Sequence, residues 1–599
     1  MASSDMFMKI SLSVLLFILL PSFIVPICQA SEANRFIAIA YHDVVQTRDE
    51  LASDAITVDH LIDQFEWLLA NDYHPVSIDD LLAARDGKKI LPGKAVLLSW
   101  DDGYASFYKY VFPLLKAYNF PAVLALEGSW IEPGPDATVH YGKNAMPRRH
   151  FLSWKQLREL ADSPLVELAS HSYDLHRGVL TDRFGDKLPA AVARKYDPRS
   201  RTYESEEEHF TRIYNDLMRN NRLLETHLGQ RPRVMVWPFG RYNEAAMAAA
   251  RKAGMEICLT LNPVPGDIGN LQETGRMYPT LNPGLADFRG YLDPNIIPPV
   301  QHFFKVDSRL LLDPSPETEE HFSLFLNRLK ELRPAMVVFS PVVEHEDGPR
   351  ALFPSTVLPM LQDRLTRFTW HGSHRGGSST ALWLSPVLFR PDTFASREDG
   401  VRFFTEMGTF AFCQGVFVDA PALVSSLFAL PADGKSNGRA PAFWDPARRK
   451  MARRQLRKSI IGTQAKEVLD RLAALQKGQP FLEMGLVLPL ARLQGLDRQR
   501  AEVLLSYFDF LVVDARSAGS PDSLAPVLAD LPLSGMGMTN KLYMLLQRKN
   551  SDRELAESFA TLPQYNIINW GYEYDDFLAR QPAAETVRPF VSDVSNPFE

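Results

Sequence analysis

Two stretches of this chain carry side chains that could do chemistry together. Ala95 to Gly103 reads A-V-L-L-S-W-D-D-G, an apolar run that ends in two adjacent carboxylates and a glycine. Like charges that close disfavour joint ionisation unless a cation or a proton neutralises one of them. Pro164 to His176 reads P-L-V-E-L-A-S-H-S-Y-D-L-H, a second apolar run closed by His171, with His176 five residues on. Asp102, His171 and His176 would form a face of one carboxylate and two imidazoles with open positions for water and substrate, the arrangement of hydrolytic metal centres, leaving Asp101 as a general base. Each stretch also has a plainer reading: an Asp-Asp-Gly turn with solvated carboxylates, and histidines that serve packing or solvent contact.

For the metal reading to hold, the fold must bring the two stretches together. Short apolar runs recur as strand candidates at Phe36–Ala40, Ala95–Ser99, Ala122–Leu126, Leu165–Ala169, Val234–Trp237 and Glu256–Leu261. Amphipathic segments separate them, among them Val58–Ala70 with Thr57 as N-cap and Ser205–Leu228. Repeated strand-helix units imply a parallel sheet, and six or so in this length suggest a distorted β/α barrel. Tyr41-His42-Asp43, Asp101-Asp102, His171 and Pro238-Phe239-Gly240 all follow carboxyl ends of strand candidates, the face on which such barrels assemble their sites.

A Pro-rich boundary at 294–300 divides the chain, giving a first domain over 31–293 and a second over 301–599. The second half offers eight further strand candidates: Gln301–Val306, Met336–Val343, Ala381–Leu384, Gly415–Val418, Phe481–Leu488, Phe508–Val513, Leu542–Leu546 and Asn566–Trp570. With helical segments such as Pro316–Leu332 and Arg448–Gln476 between them, they point to a second (β/α)8 barrel. The fold class expected is therefore α/β, a distorted barrel followed by a regular one. Leu430–Trp444, rich in Pro, Gly and Ala, reads as a surface loop or lid.

Length agrees, since 599 residues are too many for one ordinary domain. With 46% hydrophobic and 23% charged residues the composition is globular, and a net charge of -7 argues against nucleic acid as partner. At the N-terminus Lys9 precedes an apolar run from Ile10 to Ile27 that exits through Cys28-Gln29-Ala30, the pattern of a secretory signal over residues 1–30 cleaved after Ala30. A retained anchor is the alternative on length. Lipidation at Cys28 is less favoured, because bulky Ile27 sits where a small residue is expected. Export to the periplasm follows. Only Cys258 and Cys413 remain after processing, so neither a disulfide framework nor a thiolate metal site is expected.

Trp100-Asp101-Asp102-Gly103-Tyr104, Ser170-His171-Ser172-Tyr173-Asp174-Leu175-His176 and Trp237-Pro238-Phe239-Gly240 resemble the motif series of the polysaccharide deacetylases of carbohydrate esterase family 4. The longer His spacing, with Tyr41-His42-Asp43 ahead of the aspartates, is similar to the two-domain branch that deacetylates poly-β-1,6-N-acetyl-D-glucosamine in bacterial biofilm export. The likeness runs on through Phe353-Pro354, Leu358-Pro359-Met360, Asn569-Trp570-Gly571-Tyr572 and Asp576-Phe577-Leu578. The resemblance implies a divalent metal, Zn, Co or Ni, on Asp102, His171 and His176, with Asp101 as base and His42 as the acid that protonates the leaving amine. It also implies an oxyanion contact from the Phe239 amide. Asp43 would hold the His42 imidazole, and Trp237, Tyr104 and Trp130 would stack on sugar faces or pack as core. The polymer is the implied substrate and an outer-membrane export pore an implied partner.

The second half resembles that branch's glycoside-hydrolase-like domain but departs from it. Where relatives carry His-Asp-Asp after the fourth strand, this chain has Val418-Asp419-Ala420-Pro421, so Asp419 is the only carboxylate there. Ser385, Pro489 and Asp514 at other strand ends do not pair into an acid and a base, the two carboxyl groups that glycosidic cleavage requires. The expectation is a glycan-binding or export-guiding barrel. Two rival functions remain: a deacetylase of chitin oligosaccharides or peptidoglycan, and a non-catalytic polysaccharide-binding scaffold.

Overall fold

Six parallel strands frame the first half: β1 Arg35–Tyr41, β2 Ala95–Trp100, β3 Ala122–Leu126, β4 Val166–Ser170, β5 Val234–Val236 and β6 Ile257–Leu259. They lie in the order β6-β5-β4-β3-β2-β1, each beside its neighbour in sequence, with Gly266–Asp267 antiparallel on the far edge of β1. This is a computed structural model of the chain, and it describes residues 34–141, 144–293, 301–312, 315, 319–430, 446–518, 521–529, 539–548 and 550–592. The expected signal segment (1–30), the Pro-rich boundary (294–300) and nearly all of the 430–444 loop lie outside these residues.

All six residues of β2 are buried, as expected of a parallel strand covered on both faces. Their side chains divide by the period of two. Val96, Leu98 and Trp100 pack with Leu61, Phe65 and Leu68 of helix α1, Val58–Ala70. Ala95 and Leu97 pack with Phe36, Ala38, Val123 and Val236 of neighbouring strands. The same alternation carries on to Ser99 and Asp101. Helix α2, Glu206–Leu228, covers the β4 side; Ser205 and Glu208 close a reciprocal cap at its start, and Gly229 ends it at a left-handed φ of 70°.

The sheet curls until its edges are joined by an irregular segment instead of a strand. Thr274 pairs with β6, where Thr260 N–H donates to Thr274 O at 2.9 Å, and Met277 pairs with β1, where Ala40 N–H donates to Met277 O at 2.8 Å. Arg276 therefore enters between the two edges. Thr57 stands at the start of α1, but its hydroxyl and amide both donate to Asn282 Oδ1 and none of its side chain caps the helix.

The second half is a closed barrel of eight parallel strands: β7 His302–Val306, β8 Met336–Phe339, β9 Ser379–Leu384, β10 Gly415–Val418, β11 Glu483–Pro489, β12 Phe510–Asp514, β13 Leu542–Gln547 and β14 Asn569–Asp575. Three expected elements change. The run at Met336 breaks at Ser340-Pro341, because proline has no N–H for the ladder, and Val342–His345 turns into a hairpin with Gly348–Ala351. The long helix expected over Arg448–Gln476 is two, Pro446–Ser459 and Thr463–Gly478, separated where Gly462 takes φ 104°. The last strand starts three residues later than expected and runs on to Asp575. No helix of the described residues is long and apolar enough to cross a membrane.

Candidate active site

The strand ends of the curled sheet converge as the metal reading requires. Donor atoms of Asp102, His171 and His176 all lie within 4.8 Å of one another, and all three residues are buried. His171 Nε2 and His176 Nε2 stand 3.3 and 3.6 Å from Asp102 Oδ1. The Nδ1–H of His171 donates to Val236 O at 2.8 Å, which fixes the ring with Nε2 turned toward the carboxylate. Burial pulls the His176 pKa down to about 4 against the attraction of Asp102, so its imidazole is neutral at neutral pH, as a ligand must be. Burial pushes Asp102 up, but His176 and His171 outweigh it and hold the carboxyl below the usual carboxylate range.

Three turns place these groups, and each holds a non-glycine residue in the left-handed region: Asp102 at φ 71°, Ser172 at φ 81° and Phe239 at φ 58°. After Asp102 the chain turns through Gly103 at φ 74°, where a Cβ would come within 3.0 Å of Leu126 Cδ2. The loop from His171 to His176 is held from α2. Asp216 accepts the backbone N–H groups of Tyr173 and Asp174 at 2.8 and 2.9 Å, and Asn220, one turn on, donates to Ser170 Oγ at 2.8 Å and Leu126 O at 3.1 Å. Ser172 Oγ donates to buried Glu127 at 2.7 Å and accepts from Leu175 N–H at 3.0 Å. Immediately past His176 a hairpin, Gly178–Leu180 with Lys187–Pro189, carries Asp182 and Asp186 at its tip. Asp186 accepts from His371 at 2.8 Å and from Arg367, both on the barrel's helix Leu365–His374.

Asp101 does not share the metal face. Strand parity turns it to the side of Ser99, where Arg276 grips both oxygens: Nη1 to Oδ1 at 2.7 Å and Nη2 to Oδ2 at 2.8 Å. The guanidinium is itself fixed by Ser99 Oγ at 2.9 Å and Thr260 O at 3.0 Å, with no exposed surface. Burial raises the Asp101 pKa, but Arg276 outweighs it and keeps the carboxyl below its ordinary value. Nothing around Thr274-Gly275-Arg276-Met277 signals this partner in the sequence, because its carboxylate lies 175 residues away.

His42 Nε2 lies 3.9 Å from Asp101 Oδ2, and its ring meets Tyr278 at 4.9 Å between centroids. Asp43 does not hold it. That carboxylate accepts Val44 N–H at 2.9 Å and Ser106 Oγ at 2.6 Å, and the His42 Nδ1 is buried with no hydrogen-bond partner among the described residues. Phe239 is 45% exposed at the rim and its ring packs on His176 at 4.3 Å. Trp237 corrects an expectation: it has no exposed surface and lies over Tyr242, leaving no face for a sugar. Tyr104 and Trp130 are also buried, both against Phe151, with Trp130 also touching His176.

At the carboxyl mouth of the barrel, Asp419 is less isolated than its motif suggests. Burial pushes its pKa up to about 6, with Asp514 adding to that and Arg516 and Lys305 opposing it. Glu573 receives Lys305 Nζ at 2.8 Å and Arg516 Nη1 at 2.7 Å, while Arg516 also binds both oxygens of Asp514 at 2.7 Å. Glu573 was not expected here, because β14 runs further than its apolar pattern. Asp575, the next carboxylate on β14, is fully buried and held by Arg328 and Tyr572.

Residues 88–258 match the family model for polysaccharide deacetylase. Among curated proteins, the poly-β-1,6-N-acetyl-D-glucosamine N-deacetylase of Escherichia coli (strain K12) is 33% identical over 359 residues, 59% of this chain and 53% of that protein. The chain thus spans about half the length of the curated relatives it matches first. Two solved structures are similar to it. A de-N-acetylase from Aggregatibacter actinomycetemcomitans is 37% identical, covering 43% of this chain and 99% of that one at a TM-score of 0.41. The BpsB deacetylase domain from Bordetella bronchiseptica is 38% identical, covering 41% and 96% at a TM-score of 0.38.

Proposed function

We propose that this chain hydrolyses N-acetyl groups on poly-β-1,6-N-acetyl-D-glucosamine. The observation that carries the reading is the pairing of a three-donor face, Asp102, His171 and His176 within 4.8 Å, with a separate carboxylate held ionised by Arg276. The donor set of one carboxylate and two imidazoles fits a divalent ion such as Zn, Co or Ni. Bound there, such an ion would acidify water and polarise the acetyl carbonyl. Asp101 takes the proton from the attacking water, and its two bonds to Arg276 fix the carboxylate for that task. His42, 3.9 Å from Asp101, donates a proton to the departing amine nitrogen. The backbone N–H of Phe239, at a left-handed turn, would donate to the developing oxyanion, and its exposed ring beside His176 would offer a sugar contact.

The same reading divides the chain into a secreted leader over 1–30, a distorted (β/α) barrel over 31–293 that does the chemistry, a linker over 294–300 and a (β/α)8 barrel over 301–599 that binds the partly deacetylated polymer. It places the protein in the periplasm, working with an export pore on material for a biofilm matrix. The name of the Escherichia coli relative supports the choice of polymer. Acetate release from β-1,6-linked N-acetylglucosamine oligomers, compared with β-1,4-linked ones, is the test. Faster release from the β-1,4 series would replace the polymer named here with chitin-like or peptidoglycan-like substrates, and no release from either would leave a binding scaffold.

A further inference from the structure

A cleft of about 850 Å³ opens between the two halves of the chain, away from the strand ends that carry the site described above. Its walls come from the amino-end side of both sheets. Arg35 begins β1 and Arg251 lies in the last turn of the helix Glu244–Lys252. Across from them, Lys477 closes the helix Thr463–Gly478, and Phe481 stands two residues before β11. Barrel folds place substrate chemistry at the opposite face, so nothing in the deacetylation reading uses this space.

Five basic side chains, Arg35, Arg251, Lys450, Arg454 and Lys477, line the cleft against three carboxylates, Glu244, Asp267 and Glu273, an excess of positive charge in a chain whose net charge is -7. Arg251, Arg454 and Lys477 converge on the cleft without an ion-pair partner among the described residues, whereas Lys450 already faces Glu273 at 3.7 Å. The excess of positive over negative side chains in one recess costs electrostatic energy that a bound anion would relieve. A second observation points the same way. Gln476 also lines the cleft and is only 2% exposed. Its oxygen accepts from Arg453 at 3.3 Å, yet its Nε2 is buried with no hydrogen-bond partner among the described residues. A buried donor left unmatched is costly, and what it lacks is an acceptor.

We infer that this cleft binds a phosphate ester. Guanidinium forks match tetrahedral oxyanions, two of the three unpaired cations are arginines, and Phe481 and Met247 supply an apolar wall for the organic part of the ligand. The volume lies in the range of small-ligand sites and exceeds what a bare phosphate needs. The ester has two sources, a soluble phosphomonoester or the headgroup of an anionic phospholipid.

The test titrates the full-length chain with glycerol 3-phosphate, and separately with phosphatidylglycerol vesicles against phosphatidylcholine vesicles. Wild type is compared with Arg454→Glu and with Arg251→Glu/Lys477→Glu. These variants keep the metal face intact, so the difference between them and wild type isolates the cleft. Saturable binding that weakens at least about tenfold in either variant, and falls as salt rises, is the expected result. Binding of glycerol 3-phosphate assigns a soluble ester, and binding confined to phosphatidylglycerol vesicles assigns the lipid. Unchanged acetate release and circular dichroism in the variants show that the fold is retained. Absence of saturable binding to either probe, or equal binding by wild type and both variants, overturns the inference.

Discussion

Replacing Arg276 by methionine tests the site at its least accessible point. The change keeps much of the buried stem and removes the only cation that hydrogen-bonds Asp101 among the described residues. Breaking a buried ion pair from one side costs on the order of 3–5 kcal/mol, because the surviving charge is left without compensation. At about 1.4 kcal/mol per pH unit, that cost corresponds to a rise of roughly two to three and a half units in the Asp101 pKa, until protonation becomes the cheaper state. The sign of the stability effect reverses with it. In wild type the folded pKa lies below the unfolded one, so Asp101 adds stability above the unfolded pKa and loses it as pH falls through the folded value. In Arg276→Met the folded pKa lies above the unfolded one, so the variant loses stability as pH rises between them. The assay is kcat/KM for acetate release across pH, with Tm followed over the same range and metal content measured throughout. The acid limb of the rate profile moves upward while metal stays bound. An acid limb that overlays wild type, in a folded and metal-loaded variant, refutes the assignment of Asp101 as a base held by Arg276.

Asp102→Ala, His171→Ala and His176→Ala each lose bound metal and activity together, since three protein donors leave no redundancy; full occupancy in the purified His176→Ala protein would remove it from the ligand set. Asp101→Asn keeps the metal but loses about 10²-fold or more in turnover, and His42→Ala spares the metal while slowing the reaction, both read from metal content beside rate. Asp216→Ala frees two backbone N–H groups of the loop that carries the histidines and weakens metal affinity about 10–100-fold, measured by competition with a chelator. At the barrel mouth, the chain binds partly deacetylated oligomers without efficient cleavage; new reducing ends that disappear in Asp419→Asn would show a working glycosidase there instead.

Much of this site can be read from the chain because its chemistry sits at strand ends. Apolar runs such as Ala122–Leu126 and Gly415–Val418 coincide with their strands residue for residue, since a strand buried on both faces has few polar interruptions. Asp102, His171 and His176 advertise themselves by residue type and by position after such runs. Arg276 does not. It acts from an irregular segment that has no periodicity, and its partner is close only after the sheet has curled. Asp216 and Asn220 are hidden for another reason: on a helix rich in Glu, Arg and Asn they look like solvated polar residues until the loop is docked on them. Trp237 misleads in the opposite direction, because a tryptophan beside a motif looks like a sugar platform whichever way its strand turns it.

The hairpin that leaves His176 is anchored at its tip to Arg367 and His371, so the loop that bears the histidines is fastened to both halves of the chain. Ligand uptake at one end and seating of the barrel at the other are then linked equilibria, and linkage is reciprocal. Whatever tightens the loop around an ion also tightens the seam between the halves. Stripping the ion should therefore show up far from the site, as faster proteolysis and hydrogen exchange along the seam at Leu365–His374.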